Sequence, residues 1–281
     1  MKVKARAKIN LSLDVLGARP DGYHEILTVM QTLVLHDVLE VDASPGGHIE
    51  VACSDPGVPE GPGNLVYRAA ELLGWECGCP GGAKIYIKKN IPVAAGLAGG
   101  SSNAAAALRA LNSLWELNIK ESHIFSIGEK IGSDVPFCLM GKTALAGGRG
   151  ERLTPLPSFS GVGVVLVKPP FGVSTARVYS LYDSCPGAPS PDSRWIIRAI
   201  ESADLKAVAG LLTNALERVT IPMHPEIEEI KRALLSSGAA GSLMSGSGPT
   251  VFGLFRDAEE ASYVASRLKL PGCQIIATAT E

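Results

Sequence analysis

The chain has 281 residues, a net charge of −2 and 46 % hydrophobic residues, which excludes intrinsic disorder and a general electrostatic nucleic-acid footprint. Its apolar stretches are far shorter than the roughly 20 residues of a membrane-spanning helix, and its six cysteines are too sparse for a disulfide scaffold. We therefore expect a cytoplasmic globular protein without membrane or nucleic-acid partners. Its 31 glycines, about 11 % against a usual value of about 7 %, raise the question of where the backbone needs unusual freedom.

The N-terminal segment has the clearest periodicity. Apolar and polar residues alternate over residues 3–15, which predicts a β-strand with one buried face. The polar face carries Lys8 and Asn10, and on sequence alone a solvated sheet face is the better explanation of its Lys and Arg side chains. Turn residues at 20–22 and an apolar-rich segment at 26–41 predict a turn followed by one or two further strands.

A predicted helix and strand come next. Asn64 is a suitable N-cap for a helix that would end before Gly74, and the alternation at 84–88 predicts a short strand. A glycine-rich loop follows, and apolar residues then recur at helical spacing over 104–117. The local order is therefore strand, glycine-rich loop and helix.

The loop is a candidate anion site. Glycine lets a backbone approach a ligand closely, and a helix N-terminus offers N–H groups and the positive end of a dipole. Nucleotide phosphates would suit it, although a tight connection without a ligand also fits the composition. Neither a Walker loop nor a Gly-x-Gly-x-x-Gly fingerprint is present here. The candidate residues are Pro92, Val93, Ala94, Ala95, Gly96, Leu97, Ala98, Gly99, Gly100, Ser101 and Ser102.

Asp134 is the candidate general base. It lies between Gly132 and Pro136 beside an otherwise apolar segment, where a carboxylate needs a partner or a chemical role. Capping of a helix or turn is an equally good explanation from local sequence. Lys8 could be its cationic partner, but nothing in the local sequence requires that.

Prolines between Gly150 and Gly161 predict a domain boundary, giving domains 1–156 and 157–281. The second domain is expected to contain strands and helices in mixed order, which favours an α+β fold over repeated βαβ units. The predicted elements are a strand at 162–167, helices near 203–213 and 225–236, a strand–loop–strand unit at 241–255, a helix at 257–268 and a strand at 273–278.

Four segments together resemble the GHMP family of small-molecule kinases. They are residues 7–13 with 19–24, the loop at 92–103, residues 132–136, and Ser245-Gly-Ser-Gly-Pro-Thr250. The resemblance implies a two-domain GHMP kinase fold. Its N-terminal domain would be similar to domain 2 of ribosomal protein S5, and its C-terminal domain would be ferredoxin-like.

The resemblance also implies an activity. Segment 19–24 points to ATP-dependent phosphorylation of the 2-hydroxyl of a cytidine-diphosphate-linked methylerythritol, on the non-mevalonate route to isoprenoids. Asp134 would be the base, Lys8 the cation that favours its ionised form, and Asn10 a substrate contact. The loop would hold the ATP phosphates, with Mg²⁺ expected from the family and its ligands left open.

The same resemblance assigns the cytidine end of the substrate. Tyr23 and His24 match family residues there, Tyr179 matches an opposing aromatic side chain, and Thr175 matches a nearby polar contact; by its pattern alone Tyr179 would be ordinary core. Two alternatives stay open: another GHMP kinase, acting on mevalonate, homoserine or a sugar, and a non-catalytic nucleotide- or RNA-binding protein on the same fold. The oligomeric state is not predicted.

Overall fold

The computed structural model describes residues 1–79, 81–185 and 192–281. They form two compact units, each built from separate pieces of the chain. Strands β1 (Lys2–Ala18) and β2 (His24–Ser44) contribute residues to both. These units are interleaved in sequence and are therefore a different division from the predicted contiguous domains 1–156 and 157–281, which stay a prediction. Unit 1 comprises Met1–Ala7, Leu35–Val93 and Ala98–Gly141, and unit 2 comprises Lys8–Val34, Ala94–Leu97 and Lys142–Glu281.

Unit 1 packs helices on a small sheet. The second half of β2 pairs antiparallel with β4 (Gly82–Lys88), which pairs parallel with β3 (Ile49–Cys53). Side chains such as Leu108 are fully buried in its core, where each contributes about 1.5–3 kcal/mol of apolar burial. The helices are α1 (Leu65–Glu76), α2 (Gly99–Leu114), α3 (Glu121–Ile131) and α4 (Val135–Met140).

The first helix begins as predicted but does not end as predicted. The Asn64 side chain accepts a hydrogen bond from the Val66 N–H at 2.8 Å, which confirms the cap. The expected end before Gly74 is wrong, because α1 continues to Glu76. A Cβ at Gly74 would lie 2.9 Å from the Cys79 carbonyl oxygen, so this glycine makes room for the returning chain rather than terminating the helix.

Unit 2 contains two sets of paired strands. The first half of β2 pairs with β5 (Thr143–Gly147), which pairs with β6 (Arg152–Pro155), and β8 (Thr213–Asn214) pairs parallel with β1. A separate antiparallel sheet has the order β11 (Gln274–Ala279), β7 (Gly163–Lys168), β10 (Val251–Phe255) and β9 (Gly241–Met244). The helices are α5 (Thr175–Tyr182), α6 (Ser193–Glu201), α7 (Leu205–Gly210), α8 (Glu217–Met223), α9 (Glu226–Ser236) and α10 (Ala258–Arg267).

Most predicted elements of the second half are confirmed to within a few residues. The helix expected near 203–213 is shorter, because the chain leaves α7 after Gly210 and Thr213 pairs with Ser12 of β1. The Asn214 amide then donates to the carbonyls of Met244 and Gly246, both at 2.8 Å. The α+β class is confirmed, and no helix among the described residues is long and apolar enough to cross a bilayer.

Substitution of Gly163 tests the packing of α10 on β7. A Cβ there would lie 1.9 Å from the Asp257 carbonyl oxygen at the start of α10. Gly163→Ala is expected to lower the free energy of unfolding by about 2 kcal/mol or more through overpacking, measured by denaturant unfolding. Gly210→Ala, with no atom within 4 Å of its Cβ position, is the control and should be neutral or slightly stabilising. Equal stabilities of the two variants would contradict this packing.

Candidate active site

The polar face of β1 is buried in unit 2. Lys8, Asn10 and Ser12 are each no more than 5 % exposed, so the interpretation of the polar face as a solvated surface is wrong at these three positions, whereas Lys2 and Lys4 on the same face are exposed. The Lys8 ammonium donates to Asn10 Oδ1 at 2.7 Å, and the Asn10 amide donates to Thr28 Oγ1 at 2.8 Å. Burying a charge is costly unless it is hydrogen-bonded, and this row of polar groups supplies the bonds. The row fixes the position of the Lys8 ammonium.

The carbonyl of Gly96 is where β1 meets the glycine-rich loop. It accepts hydrogen bonds from Lys8 Nζ at 3.3 Å and from Ser245 Oγ at 3.0 Å, and Lys8 N donates to the Leu97 carbonyl at 3.2 Å. A Cβ at Gly96 would lie 2.3 Å from the Ser245 carbonyl oxygen, and its φ is +74°. Only glycine fits a position with both this backbone angle and this close approach.

The loop ends at a helix that lacks a side-chain cap. Ala94 and Ala98 both adopt positive φ, near 52° and 54°, and Ala98 is the N-cap of α2 without a side-chain hydrogen bond to it. The first N–H groups of a helix have no partners inside it. The sixteen residues of α2 add a positive dipole end. The arrangement supplies the N–H donors expected of a phosphate site.

Asp134 lies in unit 1, beside the first turn of α2. It occupies the N-cap position of α4, as the capping explanation predicts, but its side chain makes no hydrogen bond to that helix. A Cβ at Gly132 would be 3.9 Å from Ser101 Oγ, which places the turn before Asp134 next to the serines that end the loop. Lys8 belongs to unit 2, and its joint action with Asp134 stays a prediction.

Unit 2 brings His24 and Tyr179 together. Their ring centroids are 4.9 Å apart with a tilt of 33°, and Tyr179 is half-buried on α5. His24 Nε2 forms a hydrogen bond with Asp183 at 2.8 Å. Because an ionised carboxylate can only accept, Nε2 carries the proton, and Nδ1 of a neutral ring is an acceptor.

The two remaining cytidine candidates have other neighbours. Tyr23 is half exposed, and the Arg149 guanidinium lies 4.9 Å from its ring centroid. The Tyr23 N–H donates to the Asp21 carboxylate, and this bond is the main reason why the pKa of Asp21 is lowered. Thr175 forms a hydroxyl–hydroxyl bond of 2.8 Å with Ser247. The Ser245-Gly-Ser-Gly-Pro-Thr250 turn therefore contacts both the glycine-rich loop and the start of α5.

The sequence reasoning missed several residues of this neighbourhood. Tyr182 is edge-on to His24 with ring centroids 6.4 Å apart, and the Arg218 guanidinium lies 3.7 Å from the Tyr182 ring centroid. Burial raises the pKa of the Tyr182 phenol, so it stays neutral at physiological pH. Tyr182 follows Tyr179 by three residues, which is the spacing of side chains on one helix face. That spacing could have identified it, whereas Arg218 has no comparable sequence signal.

Family models match both halves of the chain. The model described as GHMP kinases N terminal domain matches residues 64–142, and the model described as GHMP kinases C terminal matches residues 196–272. The crystal structure of a homoserine kinase from Cytophaga hutchinsonii has a TM-score of 0.78 at 18 % identity, covering 100 % of this chain and 94 % of that one. At that identity the likeness shows the fold alone.

Closer relatives share one name. A 4-diphosphocytidyl-2-C-methyl-D-erythritol kinase of Pelotomaculum thermopropionicum is 53 % identical over 98 % of this chain and 96 % of its own. One from Bacillus pumilus is 52 % identical over 90 % of this chain and 87 % of its own. A crystal structure of a 4-(cytidine 5'-diphospho)-2C-methyl-D-erythritol kinase has a TM-score of 0.83 at 35 % identity, covering 100 % and 99 % of the two chains. The chain therefore belongs to the GHMP kinases, in the family of the 4-diphosphocytidyl-2-C-methyl-D-erythritol kinases.

Proposed function

We propose that the protein transfers the γ-phosphoryl group of ATP to the 2-hydroxyl of 4-diphosphocytidyl-2-C-methyl-D-erythritol, in the cytoplasm, on the non-mevalonate route to isoprenoid precursors. The observation that carries the choice of substrate is the ring pair of His24 and Tyr179. An imidazole with a fixed acceptor beside an aromatic face suits a cytosine, which has π faces and an amino donor. Homoserine and mevalonate have no group for which such a pair is useful.

The proposed transfer is direct. Asp134 accepts the proton of the 2-hydroxyl as that oxygen forms a bond to the γ-phosphorus, and the bond from phosphorus to the β,γ-bridging oxygen breaks to release ADP. Lys8 supplies positive charge for the hydroxyl and the transferred group. Such transfers are catalysed mainly by positioning and electrostatic stabilisation, and no phosphorylated enzyme is needed.

The proposed phosphate site is the loop at 92–102. Backbone N–H groups of the loop and of the first turn of α2 bind the phosphate oxygens, helped by the hydroxyls of Ser101 and Ser102. Ala98 at the N-cap supports this, because an alanine side chain cannot occupy the donors that the ligand needs. Ala95 is not among the residues with positive φ, so its backbone conformation does not require glycine.

Mg²⁺ is expected to accompany the phosphates. The described residues contain no group of three or more His, Cys, Asp or Glu side chains that could hold a metal ion. An ion bound mostly by phosphate oxygens and water does not need such a group. Its contribution would be to neutralise phosphate charge.

The proposed cytidine site has three components. Tyr23 and Tyr179 provide aromatic faces for the base, and His24 Nδ1 accepts a hydrogen bond from the cytosine amino group. Asp183 holds the imidazole in the required tautomer through Nε2. Thr175 and Asn10 provide further polar contacts to the substrate.

The activity is tested by ADP release from ATP and Mg²⁺ with purified protein. The cytidylated substrate should stimulate release strongly, whereas homoserine and mevalonate should leave it at the background rate. If the cytidylated substrate does not stimulate ADP release by folded protein, the proposal is wrong. Stimulation by homoserine or mevalonate instead would support the alternative of another GHMP kinase.

Replacement of Asp134 tests the assignment of the base. Asp134→Ala should lower kcat by about 10²–10⁴-fold, the usual contribution of a general base, because the variant lacks the carboxylate that is proposed to take the hydroxyl proton. Its dissociation constant for ATP, measured by calorimetry, should stay within about twofold of the parent value. Asp42→Ala, at an exposed aspartate of unit 1, is the control for kcat. Unchanged turnover in Asp134→Ala would remove this residue from the mechanism.

Replacement of Tyr179 tests the cytidine site. Tyr179→Ala should raise the KM of the cytidylated substrate about tenfold or more, because base–aromatic stacking contributes about 1–3 kcal/mol. The KM of ATP should change little, and Tyr179→Phe should retain most of the affinity. Tyr263→Ala, at an exposed tyrosine of α10, is the control. Equal weakening of both substrates would mean that Tyr179 acts only in core packing.

A further inference from the structure

A buried carboxylate in unit 1 takes no part in the proposed chemistry. Asp37, on β2, is 0 % exposed. Its Oδ1 accepts hydrogen bonds from the backbone N–H groups of Asn90 at 2.7 Å and Ile91 at 2.8 Å. Its Oδ2 accepts from Lys89 Nζ at 2.5 Å and from the Asn103 amide at 2.8 Å. Four donors therefore satisfy a single fully buried carboxylate.

The four donors to Asp37 come from chain segments on both sides of the glycine-rich loop. Lys89, Asn90 and Ile91 come directly before the glycine-rich loop, and Asn103 lies in the first turns of α2, directly after it. Asp37 thus bonds the chain on both sides of the loop. The segment before the loop is held further by Asn90 Nδ2, which donates to the His36 carbonyl at 2.8 Å, and by Lys89 N, which donates to Ser54 Oγ at 2.9 Å.

Packing of the helix start depends on the same cluster. A Cβ at Gly99, the first residue of α2, would lie 3.0 Å from Lys89 Nζ and 3.2 Å from Ile91 Cγ2. The Lys89 side chain is only 7 % exposed, and its ammonium lies close to the positive end of a helix dipole, where a cation is disfavoured. The Asp37 carboxylate compensates for the charge of Lys89, so that the Lys89 side chain can pack against the first residue of α2.

We propose that Asp37 is a positioning residue for the nucleotide, because its buried carboxylate sets the separation between the two ends of the phosphate-binding loop. Hydrogen bonds from ionised groups are roughly twice as strong as neutral ones, so the carboxylate holds the loop ends more firmly than an amide would. The N–H groups of the α2 first turn are then preorganised for phosphate, and less ordering has to accompany binding. The inference rests on the proposed phosphate site but not on the identity of the second substrate.

The test is Asp37→Asn, an isosteric change that removes the charge and turns an amino group toward one pair of donors. The dissociation constant of a fluorescent ATP analogue, measured with no second substrate present, should rise about tenfold or more. The KM of the cytidylated substrate should stay within about twofold. Hydrogen exchange, followed by mass spectrometry, should become faster in peptides covering 88–104. Because nucleotide binding is read without catalysis, the result stands even if the proposed second substrate is wrong.

The control is Glu76→Gln in the same unit. The Glu76 carboxylate is also mostly buried and accepts from Lys130 Nζ at 2.5 Å, but it lies at the C-terminal end of α1. This variant is expected to lose stability without a change in the affinity for the ATP analogue. The two variants together separate positioning of the loop from a general loss of stability.

If Asp37→Asn does not fold, Asn103→Ala decides the question. It removes only the bond from α2 to Asp37 and should weaken binding of the ATP analogue while leaving the KM of the second substrate unchanged. Two results overturn the proposal. One is analogue affinity within about twofold of the parent in the folded variant, and the other is an equal loss of affinity for both substrates.

Discussion

The backbone at Gly96 lies very close to the backbone at Ser245, and the organisation of unit 2 depends on this close approach. The Gly96 carbonyl accepts from Lys8 and Ser245, and a single methyl group at this position would overlap the Ser245 carbonyl oxygen. The β1 strand, the loop and the Ser245–Thr250 turn are therefore held by one peptide group. Backbone atoms change position far less readily than side chains, so this contact fixes where the Lys8 ammonium lies.

Buried polar groups, and not apolar packing alone, determine the geometry around the loop. In unit 2 the ammonium of Lys8 donates to Asn10 Oδ1 and to the Gly96 carbonyl, and in unit 1 the carboxylate of Asp37 accepts from four donors. Apolar packing tolerates small shifts of its members, whereas a buried charge without its hydrogen bonds costs several kcal/mol. Both clusters therefore specify distances that an apolar core of the same volume would leave variable.

The ring cluster around His24 illustrates how one residue sets the chemistry of another. Asp183 accepts from Nε2, which leaves Nδ1 of the neutral ring as an acceptor. Tyr182 and Arg218 pack beside the ring without reaching a substrate in the proposed mechanism. The specificity proposed for cytosine depends on this orientation as much as on stacking, because a rotated imidazole would present a donor to an amino group.

The sequence by itself determined the α+β class, most strands and helices, the position of the glycine-rich loop and the family, because periodicity, caps and glycine-rich motifs are local signals. It gave no sign of Asp37, Thr28 or Asp183. Asp37 and Asp183 bind partners that are 52 and 159 residues away in the sequence. Thr28, on β2, binds Asn10 on β1. It also placed the end of α1 wrongly at Gly74, where the decisive atom is the Cys79 carbonyl oxygen. Burial of Lys8, Asn10 and Ser12 on the polar face of β1 was likewise decided only by tertiary structure. Whether a polar side chain faces water or a partner depends on what the rest of the chain packs against it, and no local pattern contains that information.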